Sequence, residues 1–190
     1  MDKAARTLAD YIIQKGTIKE DEREIYEYGF RTAMEAVLCI TTCFIISLAL
    51  HTLMEGVLFF VIFIPLRSYA GGLHLDNFRS CFSLSCLTFF MIMVLGKYLD
   101  FSIYIVLITF FLSEMIVYGM YPVENVNRMV DAEENKQFKR KLQQFLLLDG
   151  ILAVIFAALN QGKYLQTITL TLAMITVTMV IGKYKNKIGK

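Results

Sequence analysis

The sequence RSYAGGLHLDNFRSC, residues 67–81, separates two apolar segments and concentrates charge, paired glycines, a histidine and a cysteine. A cysteine and a histidine close together in a mostly apolar chain indicate a nucleophile and its base. The reason is that the thiolate, rather than the thiol, attacks a carbonyl carbon. We therefore interpret this stretch as an active site in which His74 and Cys81 carry the chemistry.

The spacing of the two residues restricts how they can meet. On one straight helix the Cα atoms of His74 and Cys81 would lie roughly 10 Å apart, too far for an ordinary side-chain hydrogen bond. Gly71 and Gly72 give the backbone the freedom to break before His74. A new helix is then expected to begin near Cys81, where the positive end of its dipole stabilises an anion. Three residues are candidates for its cap: Asp76, Asn77 and Ser80.

The composition predicts an all-α, polytopic membrane protein that forms one domain over residues 1–190. Of the 190 residues, 56% are hydrophobic, and the mean hydropathy is +0.54, which is too apolar for an ordinary soluble protein. Backbone that is not helical at membrane depth must be buried in protein or line a cavity open to one side. About six transmembrane helices of roughly 20 residues are expected, at about 32–50, 53–70, 80–97, 101–119, 142–160 and 164–182.

The first 30 residues lack the apolar core of a cleavable signal, so we expect them in the mature protein. Their apolar side chains recur at helical spacing and predict an amphipathic helix in the membrane interface. Packing of this helix on a partner protein is the alternative. Gly16 is expected to end the helix, and Thr17 with Glu20 has the spacing of a capping box for the next one.

The basic residues divide unequally between the two sides of a six-span topology. Seventeen of the 19 Lys and Arg residues fall on one side, and only Lys97 and Lys163 fall on the other. The positive-inside rule then places both termini, the 67–81 stretch and a charged loop at 120–141 in the cytoplasm. The basic end of this loop either fixes orientation and binds anionic lipid or docks an acidic peptide tail; it comprises Lys136, Lys139, Arg140 and Lys141.

Arg67, Gly71-Gly72, His74 and Cys81, placed between two apolar hairpins, resemble the AgrB family of bacterial membrane cysteine endopeptidases. That family processes short AgrD-type precursors of cyclic quorum-sensing peptides, and the resemblance covers nearly the whole chain. It implies that Cys81 is the nucleophile and His74 its base, with supporting roles for Arg67, Gly71 and Gly72. It also implies an AgrD-like propeptide as substrate, a thioester on Cys81, and closure of a thiolactone or lactone ring.

The other cysteines and the carboxylates have simpler interpretations. Cys39, Cys43 and Cys86 are expected to pack as small hydrophobic residues. A metal site built from His74, Cys81 and Cys86 lacks a convincing fourth ligand, so no metal or other cofactor is expected. Glu35 and Glu114 are both candidates for orienting His74, and the sequence does not choose between them.

Two competing classes of function explain the hydropathy. A small transporter or channel for a peptide or ion would use polar residues to line a pathway, but it does not explain the cluster of glycines, histidine and cysteine. An interaction scaffold would tolerate substitution of both His74 and Cys81. The expected partners are the propeptide and membrane lipids, with no nucleic acid, and a homodimer is left open.

Overall fold

The computed structural model describes residues 2–73, 77–121 and 132–188, and within these ranges the chain is helical and has no strand. The predicted all-α fold is therefore confirmed for this part of the chain. The elements in order are α1 (Asp2–Gln14), a short 3-10 helix (Glu20–Glu22), α2 (Arg23–Leu50), α3 (Leu53–Ala70), α4 (Phe78–Tyr98), α5 (Ile103–Met120), α6 (Ala132–Ala158) and α7 (Gly162–Ile188).

Six of these helices, α2 to α7, are long and apolar enough to cross a membrane, as the sequence predicts. The protein is thus a multi-pass membrane protein. Two helices extend well beyond their apolar segments: α2 begins at Arg23 and α6 at Ala132. Residues 132–141 were predicted to be part of a loop, and this was wrong. Their Glu, Lys, Gln and Arg residues are good helix formers, so the helix continues past the apolar stretch.

Helix α7 is the central helix of the bundle. In its spanning segment 61% of the residues are buried, against at most 28% in the other five. It packs against α3, α4, α5 and α6. Buried threonine hydroxyls on α7 donate to carbonyl groups one turn earlier, for example Thr171 to Thr167 at 2.7 Å and Thr176 to Leu172 at 2.9 Å. These internal bonds allow polar residues to lie in the core of a membrane bundle.

Helices α1 and α2 form an antiparallel hairpin held by ion pairs. Gly16, with a φ of 68°, turns the chain after α1, as predicted. The capping box predicted at Thr17 and Glu20 was wrong. It lies two residues later, where the backbone N–H of Lys19 donates to the Glu22 side chain at 3.1 Å. The paired residues follow one register along the two helices: Asp2 with Arg31 at 3.0 Å, Arg6 with Glu27 at 3.0 Å, and Asp10 with Arg23 at 2.6 Å.

Short connections lie at one end of the bundle and the candidate active site at the other. Residues 51–52, 99–102 and 159–161 join α2 to α3, α4 to α5 and α6 to α7. At this end, two side chains donate hydrogen bonds to carbonyl groups that have no partner within a helix, because they lie at helix ends. Lys97 Nζ donates to the Leu50 carbonyl at 2.6 Å, and Gln166 Nε2 donates to the Leu99 carbonyl at 2.8 Å. The opposite end carries the α1–α2 hairpin and the connection between α3 and α4.

Candidate active site

Cys81 is half-buried in the first turn of α4. Of the three predicted capping residues, Asn77 is the one seen to cap this helix, since its Oδ1 accepts from the Arg79 backbone N–H at 3.1 Å. Asp76 lies outside the described residues. The Cys81 N–H donates to the Asn77 carbonyl at 3.0 Å. The expected helix start near Cys81 is therefore confirmed, and the dipole of α4 presents its positive end there.

Arg67 connects the last turn of α3 to the segment that precedes His74. Its Nη2 donates to the Leu73 carbonyl oxygen. Its Nη1 is buried and has no hydrogen-bond partner in the described part of the chain. Arg67 and Cys81 also line the same cavity. One side chain thus fixes the local backbone and places a positive charge near the cysteine.

Gly71 and Gly72 are each required to be glycine, but for different structural reasons. Gly71 has a φ of 79° and Gly72 a φ of 137°, and both values lie in a region that other residues rarely adopt. At Gly72 there is a second restriction, because a Cβ atom would lie 2.9 Å from Cζ of Arg67. Gly71 therefore ends α3 and turns the chain, whereas Gly72 also leaves room for the arginine.

Helix α7 forms the surface on which this segment lies. The Leu73 N–H donates to the Thr178 carbonyl of α7 at 3.1 Å. One turn further along α7, a Cβ atom on Gly182 would lie 2.7 Å from the carbonyl carbon of Gly72. Neither Thr178 nor Gly182 was predicted from the sequence to lie at the site. A glycine in an apolar span does indicate close backbone approach, but its partner cannot be identified without the helix packing.

His74 lies outside the described residues, so its pairing with Cys81 stays a prediction. The residue before it, Leu73, lines a cavity of about 250 Å³ together with Arg67, Cys81 and Thr178. Phenylalanines of α3 and α4 form the apolar wall of this cavity: Phe59, Phe60, Phe63 and Phe89. The residue that precedes His74 in the chain and Cys81 therefore line the same cavity.

Cys81 also borders a larger and more polar groove of about 920 Å³ between the α1–α2 hairpin and the start of α4. Asp2, Arg31, Glu35 and Arg79 supply charged groups to its lining. Cys39, Cys81 and Ser85 line both the groove and the cavity. Cys81 is thus accessible from a charged groove on one side and adjoins an apolar cavity on the other.

The two carboxylates considered for orienting His74, Glu35 and Glu114, line different spaces in the structure. Glu35 shares the polar groove with Cys81. Glu114 instead lines a separate space between α5 and α6, and its Oε1, like Oδ2 of the buried Asp149, has no hydrogen-bond partner among the described residues. Of the two carboxylates considered for orienting His74, only Glu35 shares a space with Cys81.

The four basic residues predicted to bind substrate are exposed on the first turns of α6 rather than on a loop. Two of them contact aromatic rings of neighbouring helices. Lys139 Nζ lies 5.6 Å from the ring centre of Tyr118, and Lys141 Nζ lies 5.4 Å from that of Tyr69. Because Tyr69 follows Arg67 by two residues, Lys141 lies next to the helix end that supports the site. Lys136 and Arg140 complete the group.

The remaining cysteines lie in an apolar cluster between α2, α3 and α4, as their predicted packing role requires. Their arrangement goes further than that prediction. The sulfur atoms of Cys39, Cys43 and Cys86 lie within 4.8 Å of one another. The spacing of Cys39 and Cys43 places them on one face of α2, but only the packing of α4 shows that Cys86 joins them.

Comparisons with known proteins show which family this sequence resembles. The family model described as accessory gene regulator B (AgrB) matches residues 5–179. "Putative AgrB-like protein" from Clostridium perfringens strain SM101 (type A) is 22% identical over 148 residues, covering 74% of this chain and 69% of the relative. "Putative AgrB-like protein 2" from C. perfringens strain 13 (type A) is 21% identical, with the same coverage. No solved structure matches the chain.

The family match includes α1 from residue 5, α2 to α6, the described part of residues 67–81, and α7 as far as residue 179. Such a match supports a role in the accessory gene regulator (agr) quorum-sensing system. Arg67, Gly71 and Gly72 lie within the matched region. Since the family model spans nearly all of the sequence, the chain belongs to the accessory gene regulator B (AgrB) family.

Proposed function

We propose that this protein is a membrane-embedded cysteine endopeptidase that removes the C-terminal tail of an AgrD-like propeptide. It then promotes closure of the remaining peptide into a cyclic thiolactone or lactone for quorum sensing. The observation that carries the proposal is the placement of Cys81. It lies at the start of α4 and borders one cavity with Arg67 and with Leu73, the residue before His74.

In the first step the sulfur of Cys81 attacks the carbonyl carbon of the scissile peptide bond. His74 accepts the thiol proton and donates it to the departing amine, so the tail leaves with a neutral N-terminus. The negative charge that develops on the carbonyl oxygen requires nearby donors. The start of α4 supplies backbone N–H groups that have no partner within the helix, and Arg67 Nη1 is buried without a partner in the described residues.

In the second step the acyl group passes from Cys81 to a nucleophile within the same peptide. A substrate thiol or hydroxyl attacks the thioester carbon and loses its proton to the base, and Cys81 leaves as the thiolate that restarts the cycle. Attack by water would give a linear product instead. On the side of the cavity, the apolar wall formed by phenylalanines of α3 and α4 limits access of water to the thioester and so favours ring closure.

The surfaces beside the cavity fit the chemistry of such a substrate. The charged groove between the α1–α2 hairpin and α4 provides an open path to Cys81 for an extended peptide. The exposed basic residues of α6 provide charges for an acidic tail, and Lys141 lies nearest the site through its contact with Tyr69. The charge distribution favours a cytoplasmic position for this end of the bundle, where a newly made propeptide is available.

The test is cleavage of an AgrD-like propeptide, tagged at its C-terminus, in membranes that contain the protein. Cys81→Ala and His74→Ala are each expected to abolish release of the tag. Cys39→Ala, Cys43→Ala and Cys86→Ala are the matched controls and are expected to retain cleavage. Mass spectrometry should identify a cyclic product with the unaltered propeptide and an adduct on Cys81 when the internal nucleophile is replaced by Ala.

Cleavage by the Cys81→Ala protein would rule out the proposed nucleophile. An exclusively linear product from the unaltered propeptide, with no adduct on Cys81, would leave a simple peptidase and remove the cyclising step. A transporter or channel would tolerate Cys81→Ser, so inactivity of that variant together with normal membrane insertion separates the two classes of function.

A further inference from the structure

Three cysteines outside the proposed catalytic pair form a compact group of thiols. The sulfur atoms of Cys39, Cys43 and Cys86 lie within 4.8 Å of one another, and all three residues are free cysteines. Cys39 and Cys43 are one helical turn apart on α2, and Cys86 faces them from α4. Cys43 is only 2% exposed. The fold therefore holds three sulfur donors together that the proposed cleavage does not use.

The surroundings of this group exclude ions that prefer oxygen. Its neighbours are apolar and include Phe59, Phe89 and Met93. Among the described residues no carboxylate or imidazole belongs to the cluster. Calcium and magnesium require several oxygen ligands, so they do not fit. Soft metal ions bind thiolate and thioether sulfur, and the thioether-bearing Met174 lines the same cavity as Cys39 and Cys43.

The distances suit three-coordinate binding. A metal ion bonded to three sulfur atoms at about 2.3 Å in one plane separates those sulfurs by about 4 Å. The observed separations of up to 4.8 Å need only small side-chain rotations to reach this geometry. Structural zinc takes four ligands, and the cluster offers three.

We propose that Cys39, Cys43 and Cys86 form a binding site for a soft monovalent metal ion, with Cu(I) as the probe. Each cysteine that binds exchanges its thiol proton for a sulfur–metal bond, and no electron is transferred. The site joins α2 to α4. Cys86 follows Cys81 by five residues on α4, about 7.5 Å along the helix axis. An ion bound here fixes the two helices whose residues line the groove beside Cys81.

The experiment uses the full-length protein, reduced and in lipid nanodiscs under anaerobic conditions. Cu(I) is distributed between the protein and a colorimetric chelator of known affinity, bathocuproine disulfonate. The expected stoichiometry is one Cu(I) per chain. Cys39→Ser, Cys43→Ser and Cys86→Ser should each weaken binding by at least about tenfold, because each removes a direct ligand. Cys81→Ser is the matched control and should bind as tightly as the unaltered protein.

X-ray absorption spectroscopy of the Cu(I) complex provides a readout that does not depend on affinity. Three sulfur neighbours at about 2.3 Å are expected, and two or fewer in Cys43→Ser. Circular dichroism and gel filtration establish that each variant is folded, and three single variants keep the test valid if one of them is not. The proposal is overturned if the reduced protein takes no Cu(I) from the chelator. It is equally overturned if all three serine variants bind normally, or if Cys81→Ser alone abolishes binding.

Discussion

Gly72 is restricted in two ways, since both its backbone angle and its lack of a side chain are required. Its φ of 137° strains any other residue, and the Arg67 guanidinium occupies the space of a side chain. Arg67 in turn holds the Leu73 carbonyl. A change at Gly72 therefore displaces both Arg67 and Leu73, which line the cavity beside Cys81.

We expect Gly72→Ala to reduce the rate of propeptide cleavage by roughly tenfold to a hundredfold, because strain and displacement of this kind cost about 1–3 kcal/mol. Membrane insertion should be unchanged. Gly29→Ala is the matched control, since a Cβ atom at Gly29 meets no other atom within 4 Å. Equal cleavage rates for Gly72→Ala and the unaltered protein would show that the arginine contact has no role in the site.

At this scale the sequence predicted where the backbone turns better than which residues contact one another. It identified Gly71 and Gly72 as the flexible point before His74 and included Asn77 among three capping candidates. The sequence did not show that Gly72 leaves room for Arg67. The two residues come into contact because the chain turns back at the end of α3, and this turn is visible only in the structure. The grouping of Cys86 with Cys39 and Cys43 likewise depends on the rotation of α4 against α2, which apolar periodicity does not determine.

Helix α7 forms the core of the bundle and also contacts the segment before His74, through Thr178 and Gly182. Substituting Gly182 by Ala would push a Cβ atom against the Gly72–Leu73 peptide, 2.7 Å from its carbonyl carbon. This neighbour is backbone and cannot rotate away. The residue lies near the end of the helix, so the core between α7 and its neighbours is left in place.

Gly182→Ala should therefore lower the cleavage rate by about tenfold or more while leaving the thermal stability of the bundle within a few degrees of the unaltered protein. Gly162→Ala is the control on the same helix, because a Cβ atom at Gly162, at the opposite end, would meet nothing within 4 Å. Parallel loss of stability and activity in Gly182→Ala would instead indicate a packing role alone.

The start of α6 is the element that we expect to recognise the acidic tail. Replacing Lys136, Lys139, Arg140 and Lys141 by Gln should raise KM about tenfold at low salt, because exposed ion pairs contribute about 0.2–1 kcal/mol each. Salt should raise KM of the unaltered protein and have less effect on the variant, since it screens the charges that the variant lacks. The measurement is propeptide cleavage at several salt concentrations.

Four other exposed lysines on the same predicted side of the membrane provide the control for that experiment. Changing Lys3, Lys15, Lys19 and Lys183 to Gln removes the same number of charges. If both sets of substitutions change KM equally, the effect comes from overall charge or orientation, and α6 is not a specific docking element. An unchanged KM in the α6 variant would favour its alternative role of fixing topology.

On the scale of the whole molecule, two candidate spans among the described residues, α2 and α3, separate the turn of the α1–α2 hairpin from the connection around Cys81, so these two features share one side. We expect that side to be the cytoplasm. A variant with Cys81 as its single cysteine should react with a membrane-impermeant thiol reagent in inverted vesicles and not in intact cells. In a cysteine-free background, His51→Cys at the opposite end should show the reverse. Labelling of Cys81 in intact cells would contradict the orientation.

The sequence predicted the overall architecture well because lipid imposes strong constraints. Backbone groups in a membrane must bond within the helix, so an apolar stretch such as 53–70 corresponds closely to α3, Leu53–Ala70. Outside the membrane the constraint disappears. There α6 continues as a helix through residues that the sequence analysis assigned to a loop, because charge marks where the lipid ends and not where the helix ends.

The position of α7 in the chain has a consequence for how the protein is made. Thr178 follows Cys81 by 97 residues, so the ribosome completes the cysteine, the arginine and both glycines long before their support exists. Chains are synthesised from the N-terminus and their parts assemble in that order. Until α7 enters the bilayer, the Leu73 N–H lacks its acceptor and the segment before His74 has no surface to lie on. We therefore expect the proposed peptidase to remain latent throughout translation, so that unfinished copies do not cut the propeptide.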